Sequence, residues 1–273
     1  MDSKGRWVDN EYIKLNFMED EQKVIVVYIG MNGESKKFQN AQEVKDYMCQ
    51  SGYFYITTDS ENVGLNDDNI NQILSNAGNL RLMKTSDSKE RAKAIGEAII
   101  YLNPNLNETQ KRIIRNQFCD KNLNDIKQLD LSCISLEVLP ESFGNLEQLQ
   151  NLDLSGNKLT KLPESFGNLK DLQDLDLNDN ELTDLAESFG NLKDLQNLDL
   201  SDNQLTKLPE SFGNLKSLHT LYLDGNELTD LLESFGGLKS LRVLSLRSNQ
   251  LKELPKSFGN LERTLTSKIV SKL

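Results

Sequence analysis

Leu152-Asp153-Leu154-Ser155-Gly156-Asn157-Lys158-Leu159-Thr160-Lys161-Leu162-Pro163-Glu164-Ser165-Phe166-Gly167-Asn168-Leu169-Lys170-Asp171-Leu172-Gln173-Asp174 is one unit of a pattern that returns every 23 residues. Successive units begin at Leu129, Leu152, Leu175, Leu198, Leu221 and Leu244. Each opens with leucines and polar residues in alternation. That is the mark of a strand with one buried face, so Leu152 and Leu154 point inward while Asn151, Asp153 and Ser155 point out. A single unit is too short to bury its own leucines. Stacked units share a continuous core, and their strands form a parallel sheet on the concave side of a solenoid.

Two further columns run through the repeats. Asn157, Asn180, Asn203, Asn226 and Asn249 recur at one register. A buried amide there is expected to bond the backbone of its own turn and of the next coil. Phe143, Phe166, Phe189, Phe212, Phe235 and Phe258 form the second column, read as a core spine on the convex side. Pro140, Pro163, Pro209 and Pro255 shape the turn after the strand, and nothing functional accounts for Ala186 and Leu232 in their place. The first unit carries Ile134 where Asn is expected, which suits a terminal coil facing a cap. Asn107 to Phe118 reads as a capping helix, with Asn107 as its N-cap and Pro104 marking the break before it. At the far end Leu261, Leu265, Ile269, Val270 and Leu273 leave the period and predict a short amphipathic helix sealing the last strand edge.

The pattern LxxLxLxxNxLxxLPxxFxxL resembles the 23-residue leucine-rich repeat of cytosolic proteins, such as the plant intracellular Ras-group-related type, in six copies over about half the chain. The resemblance implies an α/β fold class: a leucine-rich-repeat horseshoe with its parallel sheet on the concave face, here preceded by a small α+β domain. It also implies a module that binds another protein. The expected division is a small α+β domain over 1–105, a capping helix over 106–125, the solenoid over 126–262 and a C-terminal cap over 263–273. The bacterial ubiquitin-ligase branch of such proteins adds a C-terminal catalytic domain, for which the residues after Glu262 leave no room.

Residues 1–105 show no repeat. Glu11–Phe17 and Lys23–Ile29 predict a hairpin about Glu19-Asp20-Glu21, and Asn32-Gly33 predicts a second turn. Helices are expected over Ala41–Cys49, Asp67–Asn76 and Asp87–Tyr101, and strands over Tyr53–Thr58 and Leu80–Thr85.

Charge narrows the partners. The formal charge is −11, of which −3 falls on residues 1–125 and −8 on the repeats. An acidic solenoid repels phosphate backbones and anionic lipid, so the expected partner is neither nucleic acid nor membrane. There is no run of 18 apolar residues, and the N-terminus lacks the apolar run of a signal peptide. Three cysteines, Cys49, Cys119 and Cys133, form no CxxC pair. These features point to reduced thiols, a cytoplasmic location and a monomer.

The chain is expected not to be an enzyme and to need no cofactor or metal. Its one histidine, His219, rules out a multi-histidine metal site, and no GxSxG elbow surrounds neighbouring Ser217. Gly30 to Lys37 follows a strand but lacks the GK[ST] ending of a phosphate loop. The alternative reading is an enzyme with an activity in residues 1–105 and the repeats as substrate selector.

The candidate site is therefore the concave face. Convex segments are near-copies and carry little positional information, whereas the outward strand positions vary. One column runs Gln128, Asn151, Asp174, Asn197, Thr220, Val243. The next runs Asp130, Asp153, Asp176, Asp199, Tyr222, Ser245, and the third runs Ser132, Ser155, Asn178, Ser201, Asp224, Arg247. The partner-binding set expected from these columns is Asp153, Asp174, Asp176, Asn178, Asn197, Asp199, Thr220, Tyr222, Asp224, Val243, Ser245 and Arg247. Stacking four aspartates is expected to raise the apparent pKa of some members and to attract Lys or Arg from a partner protein's basic segment. Such a flat row lacks the converging ligands that calcium needs. Tyr222, Arg242 and Arg247 are residue types that anchor interfaces.

Overall fold

A computed structural model describes residues 12–17, 25–29, 34–38, 43, 55–57, 62–64, 80–83, 88–261 and 267–269. The alternating leucines do form strands. β7 (Gln128–Asp130), β8 (Asn151–Asp153), β9 (Asp174–Asp176), β10 (Asn197–Asp199), β11 (Thr220–Tyr222) and β12 (Val243–Ser245) pair in parallel, each in register with the next at a 23-residue offset. Every central leucine of these strands is buried. Behind each strand a short 3-10 turn carries the phenylalanine, as in Glu164–Asn168.

The chain reverses after each strand through a residue with left-handed backbone. Cys133, Gly156, Asp179, Asp202, Gly225 and Ser248 all have φ between 52° and 64°. Gly, Asp and Ser tolerate that region better than branched residues do. The residue that follows, from Asn157 on, is the buried amide. Asn180 shows the pattern: its Nδ2 donates to Leu154 O at 2.9 Å and Leu177 O at 3.1 Å, and its Oδ1 accepts from Leu159 N at 3.1 Å. The inter-coil bonds therefore run to the preceding coil, not to the next one.

The phenylalanines stack as a spine. Neighbouring rings lie 6.1 to 6.4 Å apart and within 8° of parallel, and all are buried. The glycine after each Phe except Phe258 lets adjacent coils touch. A Cβ on Gly190 would stand 2.4 Å from the Ser211 carbonyl oxygen, so no larger residue fits without parting the coils. Ala186 and Leu232 adopt the backbone of the prolines they replace, with φ of −65° and −69°.

The solenoid is closed at its start by two helices. α1 (Ser88–Leu102) and α2 (Glu108–Phe118) pack on each other, and Ala92, Ile95, Ile99, Ile114 and Phe118 join the same hydrophobic cluster as the repeat leucines. Asn107 caps α2: its side chain accepts from Gln110 N, while the Gln110 side chain accepts from Asn107 N. Asn103 fastens the cap to the first coil. It is buried, donates to Ile99 O at 2.7 Å and Val138 O at 2.9 Å, and accepts from Glu137 N at 2.7 Å.

At the other end the expectation of a helix is corrected. β13 (Ser267–Ile269) is a strand that pairs in parallel with β12, Val243 opposite Ser267. The edge of β12 offers unpaired N–H and C=O groups, and the following chain takes up those bonds as a further strand. Residues 262–266 and 270–273 lie outside the described residues.

The N-terminal strands β1 (Tyr12–Phe17), β2 (Ile25–Ile29), β3 (Glu34–Phe38), β4 (Tyr55–Thr57), β5 (Asn62–Gly64) and β6 (Leu80–Met83) form an antiparallel sheet of order β3-β2-β1-β6-β4-β5. The hairpin of β1 and β2 pairs Leu15 with Val27, as the sequence leads one to expect, and β3 and β5 are strands beyond the expected ones. The expected helices over Ala41–Cys49, apart from Glu43, and over Asp67–Asn76, together with Gly30 to Gly33, lie outside the described residues.

Candidate functional site

The sheet register brings Asp130, Asp153, Asp176 and Asp199 into one row, continued by Tyr222 and then Ser245. Each aspartate first serves its own turn. Oδ1 of Asp153 accepts from Ser155 N at 2.9 Å and Ser155 Oγ at 2.6 Å. Oδ1 of Asp130 does the same with Ser132, Oδ1 of Asp176 with Asn178, and Oδ1 of Asp199 with Ser201 N. In all four it is the same oxygen that accepts, and among the described residues no side chain or backbone group bonds Oδ2. The row thus has a local role in shaping turns and a remaining column of anionic acceptors.

Burial pushes the Asp176 carboxyl above its usual range; bonds from Asn178 pull it down, and the charges of Asp199 and Asp153 add to the rise. The neighbouring row behaves differently. Asp174 takes the Asn151 amide on one oxygen and the Asn197 amide on the other, so its charge is shared across three strands.

These rows floor an open groove of about 740 Å³ along β7 to β11. Asp153, Asp174, Asp176, Asn197, Asp199, Thr220 and Tyr222 line it. Tyr222 is 37% exposed, an unusual amount for a large apolar side chain in this fold. Gln117 in the last turn of α2 and Lys121, three residues past its end, also line the groove. Neither carries the repeat signal, and only the docking of the cap on the first coil brings them there.

The remaining expected site residues lie outside the groove lining. Ser245 is 3% exposed and donates its hydroxyl to Asp224, which corrects its placement on the binding surface. Asp224 also accepts from Arg247 N at 2.6 Å. It reaches from the preceding unit to do for β12 what a strand aspartate does for its own turn elsewhere, because Ser245 stands where that aspartate would be. Asn178 is tied to Asp176. Val243 is half-buried between β11 and β13, and Arg247 is exposed beyond the groove.

His219 is half-buried, and among the described residues no Ser or Cys is hydrogen-bonded to its ring. The Cys119 thiol donates to Asp120, whose carboxylate raises its pKa and opposes thiolate formation. Among the described residues no group of three His, Cys, Asp or Glu side chains is placed to hold a metal ion. No helix among them is long and apolar enough to cross a membrane.

Profiles of the leucine-rich-repeat family match residues 159–205 and 185–228, and, with a second description of the same repeat, residues 148–169 and 240–261. The matched segments are leucine-rich repeats. A solved leucine-rich-repeat protein of Leptospira interrogans is similar at 33% identity and a TM-score of 0.50, over 60% of this chain. That similarity spans only 41% of the Leptospira chain. No curated protein matches the sequence. Leucine-rich-repeat domains are in general non-enzymatic modules for protein interaction.

Proposed function

We propose that this protein is a cytoplasmic, monomeric adaptor whose concave face docks another protein through a basic segment of that partner. The observation that carries the reading is the groove itself. It holds four aspartates in register, each with one oxygen that no described residue bonds, ending at an exposed tyrosine. A carboxylate row speeds association with Lys and Arg and disfavours nucleic acid and anionic lipid. Tyrosine supplies a rigid contact area with a polar tip, the character of an interface anchor. Of the expected contacts, Asp153, Asp174, Asp176, Asn197, Asp199, Thr220 and Tyr222 form the working surface.

The test is a paired affinity capture from the native lysate. The full chain and its Asp176→Asn/Asp199→Asn/Tyr222→Ala variant serve as baits, read by quantitative mass spectrometry. A protein held by the first and lost from the second, with equal circular dichroism for both baits, supports the reading. Identical captured sets sink it.

A further inference from the structure

The geometry points to an α-helix with a basic stripe as the occupant of the groove, lying along the solenoid axis and across the strands. This deepens the proposed docking role and rests on the concave face being the docking surface. Spacing selects the helix. Adjacent strands stand about 4.8 Å apart, so Asp130, Asp153, Asp176 and Asp199 present a carboxylate at each step of about 4.8 Å. An α-helix returns a side chain to the same face about every 5.4 Å, one turn. An extended chain does so about every 6.7 Å, two residues. Over the three steps of the row the helix drifts by about 2 Å, which a Lys or Arg stem absorbs, whereas the extended chain drifts by about 6 Å.

The ends of the groove differ in a way the carboxylates alone do not explain, and they fix the order of the occupant's residues. Lys121 and Gln117, which belong to the N-terminal cap, line the groove together with the aspartates. One further step beyond Asp199 stands Tyr222, exposed and apolar. The helix that fits carries Lys or Arg at i, i+4, i+7 and i+11, with an apolar residue one turn beyond the stripe against Tyr222. A polar or acidic residue faces Lys121. The partner is thus a protein with an amphipathic helix of at least four turns, basic on one face and apolar at one end of that face.

The experiment uses the full chain and two sets of fluorescent 18-residue peptides of one composition. The first set has Arg at i, i+4, i+7 and i+11 with Leu one turn on, synthesised in both chain directions. The second has Arg at alternate positions with a central Pro that blocks a helix. Fluorescence anisotropy is the readout, with circular dichroism of the bound peptide. One of the first peptides is expected to bind at least tenfold tighter than the second, to gain helix on binding, and to weaken at least tenfold with Asp153→Asn/Asp199→Asn. Replacing its Leu by Ser is expected to weaken binding to the native chain but not to Tyr222→Ala. Equal or tighter binding of the alternating peptide, lost with the Asp substitutions, overturns the helix and leaves the docking surface standing. Binding of either peptide that ignores the Asp substitutions, or no binding by any peptide, overturns the helix too; the paired capture then decides the docking surface separately.

Discussion

Asn180→Ala removes one rung of the amide ladder, and the bonds around it set the size of the loss. The side chain is 7% exposed, so water does not replace it. Its three carbonyl acceptors each keep another donor: Asn157 Nδ2 on Leu154 O, Asn203 Nδ2 on Leu177 O and Gly156 N on Asn178 O. Losing Nδ2 therefore costs only the net value of its bonds, about 1 kcal/mol in sum with wide scatter. Leu159 N is different, because Asn180 Oδ1 is its acceptor and the substitution leaves a buried N–H unpaired. That penalty is about 1–3 kcal/mol. The expected total is about 3 kcal/mol, read as a lowered midpoint in urea by far-ultraviolet circular dichroism. Hydrogen exchange should localise the weakening to the coils that contain Leu159 and Asn180, since a solenoid couples mainly to neighbours. A loss below about 1 kcal/mol would refute the ladder as the link between coils.

Gly190→Ala places a methyl 2.4 Å from the Ser211 carbonyl oxygen, and overpacking of that kind costs about 1–3 kcal/mol, while Gly259→Ala meets nothing within 4 Å and is expected to stay within about 0.5 kcal/mol by the same urea titration. Equal effects at both positions would contradict the coil contact. Ala186→Pro fits a backbone already at φ −65° and is expected to stabilise by about 0.4–1 kcal/mol in thermal unfolding, with destabilisation the contrary outcome. Asp176 has its pKa raised in the fold, chiefly by burial, so the folded state binds the proton more tightly than the unfolded chain does. Ionised Asp176 therefore costs stability at neutral pH, and the cost fades as pH falls through its folded value. Asp176→Asn should raise the denaturation midpoint at pH 7 and lose that advantage at about pH 3, below the ordinary carboxylate range; a gain of the same size at both would be the wrong result. Glu187 has the opposite sign: its carboxylate is held low by hydrogen bonds from Ser211 and from Glu210 N, so it contributes stability that disappears as pH falls through that lowered value, and Glu187→Gln should be less stable than the native chain at pH 7 and equal to it in acid.

The repeat half was legible because one period imposes strand, turn and spine together. The leucines at Leu129 to Leu244 sit at the centres of β7 to β12, and the Phe column and Asn157 to Asn226 occupy the interior positions read for them, with Asn249 half-buried. What the sequence hid lies where the period stops. Asn103 stands outside any repeat, yet it bonds the backbone of Glu137 and Val138 in the one coil whose ladder position is Ile134. Gln117 and Lys121 reach the groove through helix docking, which no local spacing records. Ser245 occupies an outward register position but turns to Asp224, because the strand aspartate that normally fills the turn is absent there. The tail keeps an apolar pattern consistent with a helix, and the open sheet edge takes Ser267–Ile269 as a strand instead.

The central claim is that function resides on the inner curve of the solenoid. The most direct measurement is hydrogen–deuterium exchange and hydroxyl-radical footprinting of the chain, free and bound to its captured partner. The account predicts side-chain protection at Asp153, Asp176, Asp199 and Tyr222, with the convex turns around Glu164 and Glu210 unchanged. Protection confined to those convex turns, with the four inner positions as reactive as in the free chain, would contradict it.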